Sequence, residues 1–316
     1  MIDSASGRHP EEVELTDRAG TVHVRWMPAA LIFVACVCAV AQTARLGAQD
    51  VDERKLWDTE FLKKRQSAPA APAASRKPPV YRRVTPGSVS NDEAPGEMLG
   101  VTIWRLRPSR VSDGGDSRLL LQEDEKSSNA EWTPERVEAG TTFAAGEPVR
   151  LSIESPRTGF LYVINREQYD DGSTSDPYLI FPTLRIRAGN NAVTAGRVIE
   201  LPDRSAFRLK PMRPDYKGEL LTLLVTAAPL AEINAGPTIQ KLDPTLVEQW
   251  ERQWSATIER FEMVGGAGRI YTRAEKEAGA QGRLLTQEDE LPQTLLRVVA
   301  KPDSPLLVEL SLQIAR

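Results

Sequence analysis

From Leu99 onward the chain is a series of short apolar runs broken by turn residues. Val149, Leu151 and Ile153 alternate with Arg150, Ser152 and Glu154, the period of two expected of a strand with one buried face. Val308, Leu310, Leu312 and Ile314 repeat the pattern against Glu309, Ser311 and Gln313. Between them "GVTIWRL", "RLLLQ", "FLYVIN", "YLIFP", "RVIELP", "LLTLLVT" and "LLRVVA" are each bounded by Gly, Pro, Asp or Ser. Many short strands with turns between them predict an all-β domain over 99–316, a β-sandwich of the immunoglobulin-like or jelly-roll-like kind.

The period changes near the C-terminus, where one or two helices are expected. In "LDPTLVEQWERQWSATIERF" Asp243 suits an N-cap and Pro244 a first helical position. Val247, Trp250, Trp254, Ile258 and Phe261 recur at helical spacing, which predicts one helix running to Gly265 and Gly266 with its apolar face on the β-domain. Thr272 and Glu275 stand at capping-box spacing and open a second helix, closed by Gly279 and Gly282.

The N-terminal third reads differently. An apolar run of about fourteen residues, 28–41, follows Arg18 and Arg25 and precedes small residues suited to cleavage after Ala41 or Ala48. Residues 1–26 are thus expected to be a leader and 27–48 a signal peptide or membrane anchor. Fourteen helical residues reach roughly 21 Å against roughly 30 Å of hydrocarbon, which favours removal; an uncleaved chain would touch the membrane only through 27–44. Either way the remainder faces the exterior, in the periplasm or cell envelope. Residues 49–98, with "SAPAAPAASRKPP" at their centre, read as a disordered linker. Lys63, Lys64, Arg65, Arg76, Lys77, Arg82 and Arg83 make it basic, and a solvated tether or one lying on anionic envelope polymers are both open readings.

Residue counts narrow the chemistry. The net charge of −4 provides no field for nucleic acid, so no nucleic-acid partner is expected. Both cysteines, Cys36 and Cys38, and both histidines, His9 and His23, lie within 1–48. The exported part therefore cannot build a Ser-His-Asp or Cys-His nucleophile or a zinc site on His or Cys. A phosphate-binding G-x-x-x-x-G-K-[ST] loop does not occur, and "GGAG" at Gly265 follows a helical pattern where a dinucleotide fingerprint follows a strand. No cofactor is indicated, and carboxylate chemistry and oxygen-ligated calcium remain.

One loop concentrates acids. In "GFLYVINREQYDDGSTSDPYLIFP", residues 159–182, two apolar runs flank Tyr169, Asp170, Asp171 and Asp176. An EF-hand needs Gly sixth and Glu twelfth, whereas "DDGSTSDPYLIF" has Gly172 third and Phe181 twelfth. A looser cation site and a plain hairpin turn are the two readings left, the turn being what Asp, Gly and Ser ordinarily form. As residues on a loop carried by a rigid scaffold, these four are the candidate binding residues.

The run "GEPVRLSIESPRTGFLYVINREQYDDGSTSDPYLIFPT", then "NAVTAGRVIELP", then "GELLTLLVTAAPL", resembles the bacterial DUF4384 family over about residues 140–230. The order of pieces carries the likeness: a G-x-x-V-R-L strand, a G-[FY]-L-Y-V strand, L-I-F-P, and strands ending in L-P and L-V-T. The resemblance implies an exported or envelope-associated domain with no assigned reaction, and it transfers no functional residues. The expectation is a non-catalytic binding or scaffolding module whose partner is an envelope protein or glycan. A carboxylate-dependent envelope glycan hydrolase and a calcium-stabilised adhesion module are the alternatives.

Overall fold

The alternation at 149–153 is obeyed, but both faces of that strand are covered. Val149, Leu151 and Ile153 enter the main core, while Arg150 and Glu154 on the opposite face are 4% and 3% exposed. The computed structural model describes residues 61–67, 79–84, 96–121, 130–301 and 303–315. All belong to one compact unit, Gln49–Arg316. The leader and the export segment expected at 1–48 lie outside the described residues. No helix among the described residues is long and apolar enough to cross a membrane.

The strands in chain order are β1 (Tyr81–Arg83), β2 (Glu97–Pro108), β3 (Leu119–Leu121), β4 (Ala130–Val137), β5 (Thr142–Phe143), β6 (Pro148–Glu154), β7 (Gly159–Tyr169) and β8 (Tyr178–Phe181). They continue with β9 (Ala192–Val193), β10 (Val198–Leu201), β11 (Phe207–Arg208), β12 (Tyr216–Thr226), β13 (Gln240–Lys241), β14 (Thr257–Met263), β15 (Thr294–Val299) and β16 (Leu306–Ile314). The first sheet is ordered β1-β14-β15-β2-β4-β3, with β6 also on β2 and β10 and β11 on β6. The second is ordered β13-β8-β7-β12-β16-β5, with β9 on β7. Pairing is antiparallel except for the short β16–β5 pair.

One apolar cluster joins the sheets. Leu99, Val101 and Ile103 of β2 and Leu151 of β6 meet Leu161 and Val163 of β7, Leu223 of β12 and Val308 of β16. A β-rich domain with two faced sheets and few helices is therefore what the chain forms. The unbroken "LLTLLVT" run is apolar on both faces because the second sheet is also covered outside. There Tyr162, Ile164 and Leu224 pack against Val247 and Trp250 of helix α1 (Pro244–Gln253).

Asp243 caps α1 through Thr245 N and Pro244 occupies the first turn. The helix stops eight residues short of Phe261, however. Trp254 is its C-cap and stacks on Trp250 with 5.7 Å between ring centroids. Ile258 and Phe261 then belong to β14, where Phe261 pairs with Leu295 and Arg83. Strand pairing on both sides outweighed the helical spacing. Helix α2 (Arg273–Gln281) has the full capping box of Thr272 and Glu275 and ends on Gly282 in the left-handed conformation. Gly279 lies inside this helix rather than closing it.

The linker assignment of 49–98 needs correction at two places. Tyr81–Arg83 adds a strand to the edge of β14, and residues 61–66 seat Phe61 and Arg65 inside the domain, 2% and 4% exposed. Phe61 joins Tyr81, Met98, Phe261, Met263, Leu291 and Leu295 in a second cluster outside the first sheet. Burying a phenyl ring there is worth about 2 kcal/mol, enough to hold a short segment otherwise read as a tether.

Candidate functional site

The acidic loop is a closed hairpin turn. Tyr169 N donates to Ser173 O at 3.0 Å, Gly172 N to Tyr169 O at 3.1 Å and Asp170 N to Asp215 O at 3.0 Å. Gly172 has φ +83°, the turn conformation glycine adopts without strain. Asp171 Oδ1 accepts from Ser173 N and Oγ at 2.9 and 2.6 Å, and these donors hold its carboxyl below the ordinary value. Asp176 pairs with Lys241 at 2.5 Å. The acids thus turn to separate partners, and among the described residues no three of Asp, Glu, His or Cys are placed to hold a metal ion.

Tyr169 is not part of an exposed surface. It is 5% exposed, donates its hydroxyl to Glu167 at 2.9 Å and lies under the Arg213 guanidinium, 3.8 Å from its ring centroid. It leads into a polar patch within the sandwich. Glu167 and Glu219 are direct cross-strand neighbours, 5% and 6% exposed. Glu219 accepts from Tyr216 at 2.6 Å and Asn165 at 2.9 Å. Burial pushes the Glu219 carboxyl above its ordinary value against the pull of those donors, and the charge of Glu167 adds to the rise.

The outward face of the first sheet carries the larger constellation, which the sequence reading missed. Adjacent strands place Arg136 of β4, Trp104 of β2 and Arg150 of β6 side by side, followed by Ser152 and Glu200 of β10 in the next register. Trp104 donates Nε1–H to Ser152 Oγ at 2.7 Å, meets Tyr271 edge-on at 4.9 Å and lies under Arg136 at 5.2 Å. Helix α2 roofs this face: Arg136 pairs with Glu275, whose other oxygen accepts from Thr272 N and Oγ1 at 2.8 and 2.7 Å. Gly279 permits the close approach, since a Cβ there would lie 2.4 Å from Glu200 Cδ.

Between floor and roof is a cavity of about 40 Å³ lined by Arg65, Trp104, Arg136, Glu154, Glu200 and Glu275, among others. Glu200 takes a hydrogen bond from Tyr271 on one oxygen and from Arg150, at 3.1 Å, on the other. Burial pushes Glu200 up despite the Arg150 charge, and burial likewise keeps Tyr271 protonated as a donor. Several carboxylates line one recess, yet Glu154, Glu200 and Glu275 each have both oxygens claimed. The space holds a few waters and falls far below the roughly 300 Å³ of a small-molecule site. Proton transfer to a sugar has no room here.

At the rim, Arg65 closes the recess with every donor used. Its Nε and Nη2 grip Glu154 at 2.9 and 2.6 Å; Nη1 donates to Thr286 O and Asp289 O at 3.3 and 2.9 Å, and Nη2 to Glu290 O at 3.1 Å. Five N–H groups make five hydrogen bonds, the full capacity of a guanidinium. Gln66 then pairs in parallel with Thr286, through Gln66 N to Leu285 O and Gln287 N to Gln66 O, both 3.0 Å. Only the apolar Phe61 in a charged stretch could have signalled this seat. Comparison with protein-family models, with curated proteins and with solved structures finds no match for this chain.

Proposed function

We propose that this chain is a non-catalytic binding module of the bacterial cell envelope, exported through residues 27–48 and related to the DUF4384 family. The observation that carries this reading is the domain's capacity to seat segments from far upstream: Tyr81–Arg83 on the first-sheet edge at β14 and Gln66 beside Thr286 in the loop before β15. Adding a strand to a sheet edge is a general mode of peptide recognition, with main-chain hydrogen bonds supplying affinity and side-chain pockets supplying choice. The recess speaks against the glycan-hydrolase alternative, because Glu200 and Glu275 are bound on both oxygens. The turn at 170–176 speaks against a calcium module, since Asp171 and Asp176 are held by Ser173 and Lys241.

The contact surface is the rim beside Thr286 rather than the acidic hairpin. A photoreactive residue at Gln287, exposed at that rim, is expected to form a discrete protein adduct in the cell envelope, and one at Asp171 is not. Fractionation in the same experiment is expected to place the chain in the envelope with an N-terminus near Gln49. Release of soluble fragments from purified envelope glycan, lost on Glu200→Gln, would replace this reading with the hydrolase.

A further inference from the structure

We infer that the rim around Glu154 is a receptor for a peptide carrying a large apolar residue four positions before an arginine, and that residues 61–66 are its built-in occupant. This rests on the binding-module reading and names the ligand class. The seat reads two side chains at once. Phe61 enters the pocket of Met98, Phe261, Met263, Leu291 and Leu295, and Arg65 enters an acceptor ring made by one carboxylate and three carbonyls. The ring is selective for arginine. A lysine ammonium has three donors and no planar fork, so it cannot grip Glu154 with two parallel bonds while reaching Thr286, Asp289 and Glu290.

The acceptor ring is held together without its occupant. Asp289 takes Thr286 N and Oγ1 at 2.7 and 3.0 Å and both terminal nitrogens of Arg283 at 2.8 and 2.5 Å. These bonds fix the turn of residues 286–289 and aim its carbonyls toward Arg65. Burial works against the Asp289 charge, but the donors win and hold its carboxyl at about 2, so the turn stays fastened at neutral pH. A preorganised acceptor set of this kind binds with little ordering cost. The backbone of the occupant is read as well. Gly196, at φ +73°, comes so near that a Cβ would lie 2.5 Å from Lys64 O, and the Gly196 carbonyl fixes Leu285 N at 2.7 Å. Lys63 and Lys64 face solvent and carry no selection, while the half-buried Leu62 packs against the Phe61 cluster.

A fluorescein-labelled peptide of residues 59–68, TEFLKKRQSA, titrated into full-length chains tests the inference by anisotropy. The F61A/R65A chain, whose own segment can no longer compete, is expected to bind it. The unaltered chain is expected to bind at least about tenfold more weakly, because its tethered segment holds the seat at high effective concentration. Lysine in place of the peptide's arginine, or Glu154→Gln in the F61A/R65A chain, is expected to cost about tenfold or more. A folded F61A/R65A chain, with unchanged circular dichroism and a cooperative melt, that takes up no peptide at millimolar concentration overturns the inference; so does equal binding by the unaltered chain.

If F61A/R65A does not fold, a protease site placed after Ser67 in the otherwise unaltered chain decides. Displacement of the cleaved fragment by labelled peptide supports the receptor, and retention of the fragment for hours with no peptide uptake makes the segment a fixed part of the fold. Peptide binding without an envelope adduct at Gln287 would fail the envelope reading alone, and the adduct without peptide binding would fail the receptor alone.

Discussion

The outward face of the first sheet and the inner face of the second both bury glutamates, and they satisfy them by opposite means. Beneath α2, Glu154, Glu200 and Glu275 each meet an arginine: Arg65, Arg150 and Arg136. In the sandwich interior Glu167 and Glu219 face each other across β7 and β12 and are held by Tyr169, Tyr216 and Asn165. Among the described residues neither of these two forms an ion pair. Two carboxylates directly opposite on a sheet repel if both are charged, and burial together with the charge of Glu167 pushes Glu219 above its ordinary value, whereas the other cluster sets an arginine against each acid. Burial chemistry is therefore set by what the neighbouring strand offers and not by the acid itself.

Removing a cation should expose the difference most strongly. Arg136→Ala is expected to cost about 3–5 kcal/mol in urea unfolding, since it leaves Glu275 of α2 without its cationic partner and frees the Leu291 carbonyl. Arg65→Ala is expected to cost less, about 1–2 kcal/mol, although its charge is buried as deeply. Its segment can lift off and let water reach Glu154, whereas Arg136 is fixed in the middle of a sheet. Equal losses would mean that residues 61–66 cannot leave, and would remove the distinction between occupant and scaffold.

Acidity probes the other side of the comparison. Glu219 has a folded-state pKa above its ordinary 4.5, so its favourable contribution is complete below that value and is lost as pH rises through the folded pKa. Glu200 and Glu262 move in the same direction, for burial again outweighs their donors. Asp289 runs the opposite way, with stability present above its ordinary 3.8 and lost only as pH falls toward about 2. The melting temperature should therefore decline as pH rises above the ordinary carboxylate value of 4.5, and Glu219→Gln should flatten that decline. An unchanged slope would show that the tyrosine-held pair carries no proton.

The smallest effect is expected at the hairpin that the sequence marked most visibly. Joint replacement of Asp170, Asp171 and Asp176 by Ala removes the Asp171 turn bonds and one exposed ion pair with Lys241, and should leave the melting temperature nearly unchanged. Millimolar calcium should leave the melting temperature of the unaltered chain where it was. A rise that disappears in the triple variant would restore a cation site.

Strands β2, β3, β6, β7, β8, β10, β12, β15 and β16 were legible because each apolar run carries its own turn residues, and α2 was legible because Thr272 and Glu275 make a local signature. What could not be read was anything depending on a distant partner. Arg150 and Glu154 sit at polar positions of an alternating strand, which reads as a solvated face; residues 200–203 engage Arg150 and Arg65 engages Glu154, and both are buried. Arg65 itself is one basic residue in a basic stretch. Ile258 and Phe261 satisfied a helical spacing, yet on β14 they fall on opposite faces, Ile258 against the main core and Phe261 in the outer cluster, and pairing with β15 decided the outcome. Tyr169 stands next to two aspartates in a turn, with nothing local to show that its ring points inward.

The order in which the chain is made gives the Arg65 seat a further meaning. The acceptors of this one side chain lie 89, 221, 224 and 225 residues later along the polypeptide. A chain that emerges from its N-terminus must therefore carry Phe61 and Arg65 unclaimed until almost all of the domain has appeared. Throughout that interval neither side chain can reach its full set of partners. The seat therefore closes late, only once Glu290 is in place.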